Sequence, residues 1–70
     1  MENKNARFKR LGEQRVNNCL KNLRLIGNLS NKRNYTYTES DIKKIFKTLR
    51  KSLSECESRF TDEIKENFKL

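Results

Sequence analysis

Seventy residues with 33% hydrophobic content and a net charge of +8 bound this chain to one small domain with little core to bury. A chain of that size hides only about 60% of its unfolded surface and usually needs a disulfide, a metal or a second copy to be stable. Charged residues make up 37%, a composition that leans toward disorder unless hydrophobic patterning overrules it.

The chain holds no His and only two cysteines, Cys19 and Cys56, far apart and without CxxC spacing. A zinc site within one chain would lack ligands, so no metal and no cofactor are expected. The N-terminal MENKNARFKR is charged and lacks the apolar stretch of a signal peptide. No apolar run approaches the roughly 18 residues of a membrane span. The expectation is a cytoplasmic protein with reduced, buried thiols. The positive charge favours an acidic or polyanionic partner, and it is unevenly placed. Residues 1–51 hold fourteen Lys/Arg against four Asp/Glu, whereas residues 52–70 hold three against five.

In chain order, residues 1–5 read as a disordered N-terminus and residues 6–27 as the first helix. Projected at helical pitch, Phe8, Gly12, Val16, Cys19, Leu20, Leu23, Ile26 and Gly27 share an arc of about 120°. Gly12 lies within that stripe, a position that permits close helix approach at a cost of about 1 kcal/mol in propensity. Gly27 followed by Asn28 predicts a left-handed helix stop. Residues 28–38 form a long bridge. The second helix is predicted over about 39–60. Its stripe is Ile42, Ile45, Phe46, Leu49, Leu53, Cys56 and Phe60; Ile64 continues it, and Phe68 falls slightly to one side. The TDE at Thr61 to Glu63 also reads as the start of a separate short helix. At the front, Thr38 is placed as N-cap with Asp41 three residues on, and Tyr37 and Ile42 as a hydrophobic staple. Glu39 and Asp41 add negative charge at the positive helix end.

Two amphipathic helices joined by one segment define an all-α, antiparallel helical hairpin. Such a hairpin buries little, so its core is expected to be completed by homo-oligomerisation or by docking on a larger partner. Leu11, Asn18 and Leu25, spaced by sevens, resemble an oligomer seam with a register-setting polar position, and equally read as isolated surface residues. Cys19 and Cys56 lie at about 12 and 25 Å from the turn of that hairpin, too far apart in level for an internal disulfide.

The Ser, Cys and acidic residues show no nucleophile–base spacing, so no catalysis is expected. The basic surface is the strongest functional signal. On helix one, Arg7, Arg10, Gln14, Asn17, Lys21, Arg24 and Asn28 alternate steps of three and four, with Glu13 as the acid at the stripe's edge. Arg and Lys neutralise phosphates, and Asn and Gln bond phosphate, sugar or base edges. On helix two, Lys44, Lys47 and Lys51 lie opposite the apolar arc, flanked by Lys43 and Arg50. The bridge joins Lys32, Arg33, Asn34 and Tyr35 to Tyr37, and tyrosines beside cations stack on unpaired bases at roughly 1–3 kcal/mol per base. A solvated helix face accounts for the lysines equally well, and inward folding over the turn accounts for the tyrosines. For Tyr37 the staple favours the inward reading.

The stretch RLIGNLSNKRNYTYTESDIKKIF resembles a pattern in small uncharacterised proteins of bacteria and their mobile elements. The residues that carry it are Arg24, Ile26, Gly27, Asn28, Leu29, Ser30, Asn31, Tyr35, Tyr37, Thr38, Asp41, Ile42, Lys44, Ile45 and Phe46. The likeness covers about residues 7–60. It implies a helical hairpin in a phage or plasmid setting and assigns no activity.

Two functional expectations follow. One is a basic module that contacts nucleic acid or a nucleoprotein. The other is a small mobile-element interaction protein that inhibits or regulates a larger protein, such as an anti-CRISPR or other anti-defence factor. A membrane-surface helix is disfavoured, because the helix lacks Trp and its apolar stripe is core-like.

Overall fold

The computed structural model describes residues 1–65, with side chains through residue 63. Two helices, α1 (Lys4–Asn28) and α2 (Glu39–Lys65), are the secondary structure of this region, and no strand occurs among the described residues. The all-α expectation therefore holds. The chain divides into two units, Met1–Thr36 and Tyr37–Leu70, each carrying one helix.

In the first unit, α1 begins two residues earlier than the pattern suggested, so Lys4 and Asn5 are helical. Asn3 is the reason. Its backbone is extended, and its Oδ1 accepts the Ala6 N–H at 2.7 Å while its carbonyl accepts the Arg7 N–H at 2.9 Å. A side-chain oxygen at that position satisfies a free amide of the first turn, which is what starts a helix.

The other end of α1 corrects the expected left-handed stop at Gly27 and Asn28. Among the described residues no φ is positive. Asn28 is helical, and Leu29 follows in a right-handed conformation with φ −68° and ψ −9°. The ladder tightens instead. Leu29, Ser30 and Asn31 donate to the carbonyls of Ile26, Gly27 and Asn28 at 3.0, 3.1 and 3.4 Å. Bonds of this i to i−3 type satisfy the last carbonyls without a left-handed residue. Gly12, expected to admit a close neighbour, faces open space, where an added Cβ would meet nothing within 4 Å.

The second unit starts as the sequence implied. The Asp41 N–H donates to Thr38 Oγ1 at 3.1 Å, and the Thr38 N–H donates to Asp41 Oδ2 at 2.9 Å. This reciprocal pair is a capping box with Asp in place of Glu. Tyr37 and Ile42, the expected staple, are both half-buried. Downstream, α2 runs without interruption through Thr61, whose hydroxyl donates to the Glu57 carbonyl at 3.4 Å. Thr61 thus bonds backward along a continuing helix rather than capping a new one. Phe68, assigned to the edge of the stripe, lies outside the described residues.

Burial corrects a further expectation. None of the described residues is buried. Phe8, Val16, Leu20 and Leu23 of α1 are 60, 58, 47 and 41% exposed, and both thiols are exposed and free. Each unit contributes a single helix, and neighbours three and four residues apart on one helix cover one another only partly. The stripes have the periodicity of core faces without the enclosure of a core.

Candidate nucleic-acid interface

The helical repeat of α1 brings Arg7, Arg10, Gln14, Asn17, Lys21, Arg24 and Asn28 onto one side, and all seven are exposed. Arg10 is not free within that row. Its Nε and Nη2 donate to the two carboxylate oxygens of Glu2 at 2.9 and 3.0 Å. This fork holds the Arg10 guanidinium in its charged form, raising its pKa above the ordinary arginine value. Glu2 was missed because helical spacing relates residues three, four or seven apart, and Glu2 lies eight before Arg10. Asn3 as a cap was the available clue that this end is ordered. Among the described residues, Arg7, Lys21, Arg24, Lys32 and Arg33 carry no ion pair.

The same unit continues into the bridge. Asn31 Oδ1 accepts the Arg33 N–H at 3.0 Å, and the Asn31 carbonyl accepts the N–H groups of Asn34 and Tyr35 at 3.2 and 3.0 Å. One asparagine therefore closes a turn around Lys32, Arg33 and Asn34, as Asn side chains do when they replace a backbone acceptor. All three are exposed, and Tyr35 is 47% exposed. Asn31 entered the sequence reading only through the resemblance. Its structural role was legible in its short amide side chain two residues before Arg33.

The two tyrosines part company. Tyr35 closes the first unit on an exposed turn, whereas Tyr37 opens the second unit half-buried at the start of α2. The remaining cations, Lys44, Lys47 and Lys51, are exposed on α2, while Ile42, Ile45 and Leu49 on its other side are half-buried. The seven residues of the α1 row and Lys32, Arg33, Asn34 and Tyr35 thus lie on the first unit, and Lys44, Lys47 and Lys51 on the second. Arg50 leans along the flank of α2, its guanidinium carbon 6.0 Å from the Phe46 ring centroid. In the expected seam, Leu11 is half-buried, Asn18 exposed and Leu25 54% exposed.

Charge also differs along α2. Residues 42–51 carry five Lys/Arg and no acid, and residues 52–63 carry four acids and one Arg. Among the described residues, no helix is long and apolar enough to cross a membrane. No protein-family model matches the chain, and no curated protein or solved structure matches it significantly.

Proposed function

We propose that the protein is a non-enzymatic module that contacts nucleic acid, or the nucleic-acid surface of a nucleoprotein, through the first unit. The observation that carries this reading is the continuity of exposed donors from Arg7 and Lys21 through Arg24 to the Asn31 turn with Lys32, Arg33 and Tyr35. Cations and amides of this kind bond phosphates without reading sequence, and an exposed tyrosine beside them stacks on an unpaired base. Single strands are therefore the favoured ligand. The exposed apolar stripes of α1 and α2 are completed by a second copy or a larger partner. The chain is purified without nuclease, and the absorbance ratio at 260 and 280 nm is read with light scattering. An electrophoretic shift with a single-stranded oligonucleotide follows at low salt. Binding that weakens steeply with salt is expected, and absence of any shift rules the reading out.

The exposed apolar residues of both helices favour one second reading, a small phage- or plasmid-type protein that docks on a larger protein and regulates it. A pull-down from cells encoding a defence nuclease tests it. Recovery of no stoichiometric protein partner removes this option.

A further inference from the structure

The apolar stripe of α2 has a second regularity that bears on what covers it. Phe46, Leu53 and Phe60 are spaced by sevens, and so are Ile42, Leu49 and Cys56. Together they occupy the a and d positions of consecutive heptads, the pattern that seats one helix against another. Phe46, Leu53 and Phe60 are 37, 70 and 56% exposed, so this seam presents substantial apolar surface within its unit.

We propose that this seam is an interface with a second copy of the chain, with the two α2 helices antiparallel. In an antiparallel pair, a positions face d positions. One register satisfies all six residues at once: Ile42 against Phe60 of the second copy, Phe46 against Cys56, and Leu49 against Leu53, each repeated by symmetry. Two layers set a ring against a smaller side chain, Phe60 on Ile42 and Phe46 on Cys56, and the central layer pairs Leu49 with Leu53, as close packing of helices favours.

Charge selects the orientation. In this register the five cations of residues 42–51 lie level with residues 51–60 of the second copy, which carry Glu55 and Glu57, whereas Asp62 and Glu63 lie level with Ser40 and Glu39. A parallel pair sets basic half against basic half. On the flank of the seam, the antiparallel register brings Lys43 to within about 3 Å along the axis of Glu57 of the second copy, twice by symmetry, and sets Arg50 beside Arg50 of the second copy near the two-fold axis, a solvent-facing like-charge contact that salt screens. In a parallel pair, Arg50 and Glu57 face Ile45 and Ser52 of the other helix and gain no ion pair. The antiparallel register also brings Glu39 near Glu63 of the second copy, at the ends of the interface where water and salt screen them.

This inference rests on the stripe being completed by a partner and names that partner. It does not involve the α1 and turn cations, so oligonucleotide binding measured in parallel separates a failure here from a failure of the nucleic-acid reading. The full chain is first weighed by light scattering. Twice the chain mass of 8.4 kDa is expected. A monomer mass at every concentration up to about 1 mM overturns the proposal. Orientation is then read by spin-label distances in a chain whose Cys19 and Cys56 are replaced by Ala. Labels are placed at Lys51→Cys in one sample and Ser58→Cys in another. Both sites are on the outer side of the heptad, one repeat apart, so they differ only along the axis. The antiparallel register sets the Lys51→Cys labels level with each other and offsets the Ser58→Cys labels by about 21 Å along the axis. The second distance is then several ångströms longer than the first. Equal distances mean a parallel pair and overturn the orientation, and absence of a dipolar signal in both overturns the interface.

Discussion

α1 opens on Asn3 with Lys4 and Arg7 in its first turn, whereas α2 opens on Thr38 with Glu39 and Asp41. The free amides of a helix start are a positive charge centre, so the acids of α2 complement that end and the cations of α1 oppose it. At the start of its helix the second unit places acids where they stabilise it. The first unit places cations where they work against its helix and relies on a neutral cap with one outlying carboxylate, Glu2. Charges positioned against local stability are better accounted for by a contact outside the helix. That difference supports assigning the binding role to the first unit rather than spreading it over every lysine in the chain.

The largest expected effect separates the two sets of cations. Replacing Lys32, Arg33 and Tyr35 together with Ala is expected to weaken single-stranded oligonucleotide binding about 100-fold at low salt, with helicity by circular dichroism unchanged. The triple change of Lys44, Lys47 and Lys51 to Ala should weaken it less than about tenfold. Equal losses would erase the distinction between the units. Next in size is the capping box. Thr38→Ala with Asp41→Ala should cost α2 about 1–2 kcal/mol, read as faster amide exchange over residues 39–43 and unaltered exchange in α1. Spreading of that loss into α1 amides would show that the two helices do not respond separately.

A smaller gain is expected at Gly12, where open space replaces the close neighbour foreseen from the stripe. Gly12→Ala should raise α1 stability by about 1 kcal/mol in thermal or denaturant unfolding. A loss instead would locate a close approach of another surface at that position. The smallest effect concerns Arg10. Glu2→Gln should release its guanidinium for phosphate and steepen the salt dependence of binding by less than about one log unit per log unit of salt. An unchanged slope would mean that Arg10 lies outside the contact.

Much of this arrangement was legible in the residues because it depends on short-range chemistry. The Thr38–Asp41 box and the two helices follow from local spacing, and the structure has each of them, with Tyr37 half-buried. Glu2, Asn3 and Asn31 escaped because each acts through one particular hydrogen bond that periodicity does not encode. The end of α1 was misjudged for a related reason. Gly27 and Asn28 allow a left-handed stop, but three successive i to i−3 bonds satisfy the same carbonyls. The apolar stripes were read correctly as faces and incorrectly as interior. Spacing reports which residues share a side of a helix, while burial depends on what lies against that side.

The central claim is that the first unit binds nucleic acid through its phosphates. Its most direct test is the affinity of the full chain for a single-stranded oligonucleotide across a salt series. With Arg7, Lys21, Arg24, Lys32 and Arg33 in contact, the logarithm of the binding constant should fall linearly with the logarithm of salt, with a slope of about −3.5. Replacing Lys32 and Arg33 with Ala should flatten that slope by about 1.4. Undetectable binding at low salt, or an affinity indifferent to salt, would contradict the account.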